Sequence, residues 1–187
     1  MYFDNSRQIA AFSTMCMMLL RDCRHERSIS IEFVADRLNV TSSIWKKAED
    51  ISGEFDFNLF IRACDVMQVS PSRVIYISEC YVGILRNRGW EVLYKRPQNI
   101  GRDDLFQIAT AFWKTGVGRG CWRDFPVLDE PNLAAGMATP LFRYALDSAY
   151  QAQLDNPPPL NFDFSSALSN PDEHKFDANQ TSHDIAS

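Results

Sequence analysis

Histidine is scarce in this chain, 3 residues in 187, and its 5 cysteines are odd in number, with no C-x-x-C spacing. His25, His174 and His183 are scattered, as are Cys16, Cys23, Cys64, Cys80 and Cys121. No zinc site is legible from them, and no cluster of His, Cys and carboxylate has catalytic spacing. The expectation is a protein that is not an enzyme and carries no cofactor or metal, with its thiols serving as small core residues. Long apolar runs are lacking as well. The run from Met15 to Leu20, MCMMLL, is far too short to span a bilayer, and the residues before it include Asp4 and lack a positive n-region. A cytoplasmic protein without a membrane partner is expected. The glycine-rich segment Gly116-Val-Gly-Arg-Gly120 lacks the Gly-Lys-Ser/Thr of a phosphate loop and follows a helical pattern rather than a strand, so it reads as a turn.

Basic residues are nearly missing from the last third. Residues 1–123 hold 17 Lys and Arg against 14 Asp and Glu, a net +3, whereas residues 124–187 hold 2 against 10, a net −8. The overall charge of −5 therefore hides a mildly basic body and an acidic end. From Asp155 onward the composition turns to Asn, Pro, Ser, Asp and His, opening on Asn156-Pro-Pro-Pro159, and residues 155–187 are expected to be a disordered acidic tail. Its one apolar concentration, Leu160 to Phe164, is a candidate docking segment.

What the chain does have is a patterned stretch from Ser30 to Gly53, SIEFVADRLNVTSSIWKKAEDISG. Counting from Ile31, the residues Val34, Ala35 and Leu38 share one helical face. Ala35 is small enough to sit where two helices cross closely at a sharp turn. Asn39 falls at the bend and tolerates the left-handed conformation there, Val40 plugs the corner, and Thr41 can cap a second helix running from about Ser42 to Ile51. Trp45 and Ala48 take that helix's inward face, leaving Ser42, Ser43, Lys46 and Lys47 pointing elsewhere, short or basic as a groove-reading helix requires.

With Arg24, Val34, Ala35, Leu38, Val40, Thr41, Ala48 and Glu49 in place, and LFIRACDVMQVSP downstream, the segment from Leu20 to Pro71 resembles the Cro/cI-type (Xre) helix-turn-helix domain of bacterial and phage regulators. The resemblance covers roughly a third of the chain. It implies a mainly α protein with a five-helix, lambda-repressor-like N-terminal domain over residues 1–88. Two positions depart from the family pattern. Ile31 stands where a Gln often contacts a phosphate, and Trp45 where an aliphatic residue is usual.

Around this stretch the pattern predicts a first core helix from about Ser6 to Arg24 with Ile9, Phe12, Met15, Met18 and Leu19 on one side. A helix near Asn58 to Met67 follows, and then one starting at Ser70-Pro71 and running to about Asn87. The last is apolar enough to need a cover, from a second copy or from the following segment. Trp90 to Tyr94 reads as a short strand among Arg86, Arg88, Lys95, Arg96 and Arg102, a basic stretch that would hug phosphates as a wing or act as a solvated linker. Asp103 caps a further helix with Leu105, Ile108, Ala109, Phe112 and Trp113 on its apolar face. Pro131 to Leu154 holds one or two more helices broken near Thr139-Pro140. Residues 89–154 are thus expected to form a second, mostly helical unit for dimerisation, ligand or partner binding.

The function expected is a sequence-specific regulator that binds double-stranded DNA as a homodimer on a near-palindromic operator. The candidate DNA contacts are Thr41, Ser42, Ser43, Lys46, Lys47, Arg24, Arg88, Lys95 and Arg96. The alternative is a protein-interaction module, antitoxin-like or anti-regulator, that meets a protein partner through the helix-turn-helix fold or the acidic C-terminal region.

Overall fold

The computed structural model describes residues 7–51, 55–95, 97, 99–115 and 126–156. The glycine-rich segment 116–120 and residues 157–187 of the expected tail, together with Arg96 and Cys121, lie outside them; Asp155, expected in the tail, ends a helix. Among the described residues the chain is mainly helical, with one small parallel strand pair. In order come β1 (Ile9–Ala11), α1 (Phe12–Glu26), α2 (Ile31–Leu38), α3 (Ser42–Glu49), α4 (Phe57–Val66), α5 (Pro71–Asn87), β2 (Glu91–Leu93), α6 (Asp104–Phe112), α7 (Pro140–Leu146) and α8 (Ser148–Asp155). Among the described residues no helix is long and apolar enough to cross a membrane.

The architecture turns on α1. Met15, Met18, Leu19, Leu20 and Cys23 are fully buried, and Ser13, Thr14 and Asp22 are buried with them, so the helix is covered on nearly every side. A helix apolar around most of its circumference belongs inside a fold. It is packed by α3, α5, α6 and β1, and the methionine cluster is core. Cys16, Cys23 and Cys64 are buried free thiols, their pKa values raised by desolvation, Cys16 to about 11 and Cys64 to about 12.

Helix boundaries follow local chemistry. Ser30 Oγ accepts from the Phe33 N–H at 3.1 Å to open α2, and Asp56 Oδ1 accepts from the N–H groups of Asn58 and Leu59 to open α4. Pro71 occupies the first turn of α5, where its missing N–H costs nothing.

Three expectations are corrected. The helix expected from Ser6 begins at Phe12, because Ile9–Ala11 pairs in parallel with Glu91–Leu93 in the register Ile9 to Glu91, Ala10 to Val92 and Ala11 to Leu93. The Ile9 N–H donates to Asp104 Oδ2 at 2.7 Å, and Thr14 Oγ1 to Asp103 Oδ2 at 2.6 Å, so α6 clamps both the strand and the start of α1. The division at residues 88 and 89 is crossed by these contacts. Residues up to Asn156 cluster as one compact unit, and Trp90, Val92, Leu105, Ala109 and Phe112 share a core with α1 and α5. In the last stretch, α7 starts after Thr139, and the break between helices falls at Asp147, whose Oδ1 caps α8.

The apolar surplus of α5 is covered from within the chain. Tyr81 stacks on Phe142 with ring centroids 3.6 Å apart, and its hydroxyl accepts from the Thr139 N–H at 3.1 Å.

Candidate nucleic-acid interface

Helices α2 and α3 are joined by Asn39, Val40 and Thr41. Asn39 has φ 55° and ψ 46°, the left-handed conformation. Its N–H donates to the Asp36 carbonyl at 3.0 Å, and the Val40 N–H reaches back to the Ala35 carbonyl at 3.0 Å. This doubly bonded stop satisfies carbonyls that α2 would otherwise leave orphaned. Thr41 Oγ1 then accepts from the Ile44 N–H at 3.3 Å and opens α3. Val34, Ala35 and Leu38 are buried, Val40 half-buried against the core, and Trp45 fully buried. The Trp45 ring fills its core position, while its Nε1–H finds no hydrogen-bond partner among the described residues.

One buried ion pair holds α3 to α1. Arg24 is 5 % exposed and Glu49 1 %. Arg24 Nε donates to Glu49 Oε1 at 2.5 Å and Nη2 to Oε2 at 2.9 Å, a bidentate fork, while Nη1 donates to the Ile29 carbonyl at 2.9 Å. Arg21 adds a partly exposed bridge to Asp50 at 2.9 Å. Arg24 is therefore spent inside the fold, and it is not a DNA contact: its guanidinium is buried, with Nε, Nη1 and Nη2 all engaged. His25 beside it is pushed down to about 4 by desolvation and by the Arg24 and Arg21 charges.

The outward side of α3 is as the spacing demands. Ser43, Lys46 and Lys47 are exposed, Ser42 is half-buried, and Thr41 is exposed with its hydroxyl engaged in the cap. Ile44 was missed. It is 50 % exposed on α3, and on α2 Phe33 is 46 % exposed with the Arg37 guanidinium over its ring at 5.2 Å. Exposed Glu32 and Asp36 flank it. The sequence held a signal for both, since neither residue falls on the apolar stripe of its own helix.

The basic stretch lies elsewhere. β2 pairs with β1, which enters the N-terminal end of α1, whereas α3 is bolted to α1 through Arg21 and Arg24. Nine to twelve helical residues of rise separate the two attachments, roughly 14–18 Å along the axis. Lys95 is exposed just past β2, and Arg88 is exposed with Nη1 donating to the Leu146 carbonyl. Arg86 sits over the Tyr94 ring at 5.7 Å, and the Tyr94 hydroxyl donates to Glu79. Arg88 and Lys95 are thus not gathered beside Lys46 and Lys47.

No protein-family model, no curated protein and no solved structure matches this chain.

Proposed function

We propose that this chain is a sequence-specific double-stranded DNA-binding regulator of the Cro/cI type, in which α2 and α3 form the helix-turn-helix and α3 is the reading helix. The outward face of α3 carries this reading. Ser43, Lys46 and Lys47 point away from a core that Trp45 and the Arg24–Glu49 pair tie to α1, so short and basic side chains stand on a rigidly held helix. Lysines can meet guanine acceptors or phosphates, and a helix of this size fits a major groove. One such helix offers few contacts, so a homodimer spanning two half-sites about 34 Å apart is the form that would reach useful specificity.

Selection of bound duplexes from a random pool at two salt concentrations tests it. Recovery of a near-palindrome supports the reading. The double replacement Lys46→Ala, Lys47→Ala is expected to weaken binding to that duplex and to flatten its log-log salt dependence by about one unit per lost phosphate contact. An unchanged slope and affinity would remove α3 from the interface.

A second reading is favoured by Phe33 and Ile44, large apolar side chains left about half exposed on α2 and α3. In it the same face meets a protein partner, as an antitoxin-like or anti-regulator module would. It is distinguished by a stable protein complex, weakened by Ile44→Ser, together with no salt-sensitive binding to duplex DNA.

A further inference from the structure

A cleft of about 230 Å³ opens where the end of α5 meets the corner between α7 and α8. Arg88, Arg143, Asp147 and Ser148 supply its polar lining, and Leu133 and Leu146 its apolar wall. We propose that it binds a small organic oxyanion, a carboxylate or phosphate ester, held by the two guanidinium groups.

Five other arginines among the described residues are committed to acceptors, and Arg37 and Arg86 lie over the Phe33 and Tyr94 rings. Arg21 pairs with Asp50, Arg24 with Glu49 and Arg73 with Glu130, while Arg27 and Arg62 donate to the carbonyls of Met67 and Leu38. Arg88 and Arg143 line one cleft with no ion pair to a carboxylate among the described residues. Each is nevertheless held in place. Arg88 Nη1 donates to the Leu146 carbonyl, which anchors the fork and leaves Nε and Nη2 available. The Arg143 guanidinium lies over the Tyr150 ring, 4.3 Å from its centroid. Stacking uses the face of a guanidinium and leaves its in-plane N–H edges open, and because the group is already ordered, less freedom is lost on binding.

Asp147 does not cancel them. Its Oδ1 accepts from the N–H groups of Ala149 and Tyr150 at the start of α8, and the lining keeps an excess of one positive charge. A carboxylate or phosphate suits a pair of guanidinium forks, since each fork offers two parallel N–H donors to two oxygens of one group. The volume sets the size. It equals that of roughly eight waters in the liquid, which limits the ligand to a small metabolite. Leu133 and Leu146 would cover its carbon atoms, and the Ser148 hydroxyl adds a donor. The site is independent of the α3 reading, since no α3 residue lines it.

The test is a titration of the full chain, followed by amide NMR at constant ionic strength, with succinate, with inorganic phosphate and with a short DNA duplex. Saturable shifts confined to Gly136, Asp147 and Ser148 are expected with succinate or phosphate. Arg143→Gln should weaken the binding at least about tenfold, and Arg143→Lys, which keeps charge and stem but loses the fork, should weaken it less. Lys46→Ala should leave it unchanged. Non-saturating shifts spread over the surface, or equal affinity in a folded Arg143→Gln or Arg143→Lys protein, would overturn the proposal. Shifts of the same amides by duplex alone would also overturn it, assigning the arginines to a nucleic-acid backbone.

Discussion

Ser28, Asn39 and Gln68 have φ of 55° each, and Gly89 has 85°. All four stop a helix in one way. The next residue's N–H reaches back five positions, from Ile29 to Arg24, Val40 to Ala35, Val69 to Cys64 and Trp90 to Leu85, at 2.9–3.1 Å. Asn39 and Gly89 are legible as stops because their residue types favour the left-handed region, whereas Ser28 and Gln68 are not. What marks those two is the apolar residue that follows, Ile29 or Val69, packing back on the helix it leaves. Left-handed backbone costs an ordinary side chain roughly 1–2 kcal/mol, partly offset by the extra freedom glycine gives the unfolded chain. Exposed Gln68→Gly is therefore expected to stabilise the protein by about 0.5–1 kcal/mol, raising Tm by roughly 1–4 °C in a thermal melt. Asp22 is the other residue with a measurable signature. It is fully buried on α1, neither carboxyl oxygen has a hydrogen-bond partner among the described residues, and burial pushes its pKa well above the ordinary 3.8, with Arg21 opposing and Glu26 and Glu49 adding. A carboxyl raised by folding contributes stability below its unfolded pKa and loses that contribution as pH climbs toward the folded value. Asp22→Asn should thus gain stability over the parent, and the gain should widen from about pH 4 to neutral in urea melts. His25 has the opposite sign, its stability falling away as pH drops from 6.5 toward 4, but both proteins share it and it cancels in the difference. A gain independent of pH would mean that Asp22 keeps its charge.

At the level of elements, α3 is held less by its own length, eight residues, than by Arg24 and Glu49. Glu49→Ala would leave a guanidinium buried and unpaired, at an expected cost of about 3–5 kcal/mol in urea denaturation. The double variant Arg24→Met, Glu49→Leu should recover most of that loss, since replacing both partners leaves no stranded charge. The helices were largely legible because 3.6-residue spacing and capping side chains are local properties, and α2, α3, α5 and α6 start within a residue or so of the positions their caps indicate. The pairing of Arg24 with Glu49 was not, because both residues are charged and a sequence assigns charge to the surface by default. β1 was missed for another reason. Its partner strand lies some 80 residues away, and the three residues Ile-Ala-Ala carry no alternation that could separate a strand from a helix start.

For the molecule as a whole, the boundary drawn at residue 88 fails because α1 is shared. It is packed by α3 and α5 from before residue 88, and by α6 from after it. A fragment of residues 1–88 would lose Trp90, Val92, Leu105, Phe112 and Phe142 from the core, and it is expected to melt without a cooperative transition in circular dichroism where the full chain shows one. Composition shifts mark linkers between bodies, but they do not reveal a helix that two halves of a chain both use. The parallel pair has a further consequence in time. A ribosome adding 5–20 residues per second needs roughly 4–16 s between making Ile9 and making Glu91, and during that interval the first strand has nothing to pair with. The first strand is thus made well before its partner, so nascent chains stalled before residue 91 would present a bare strand edge to whatever chaperone stands at the tunnel exit.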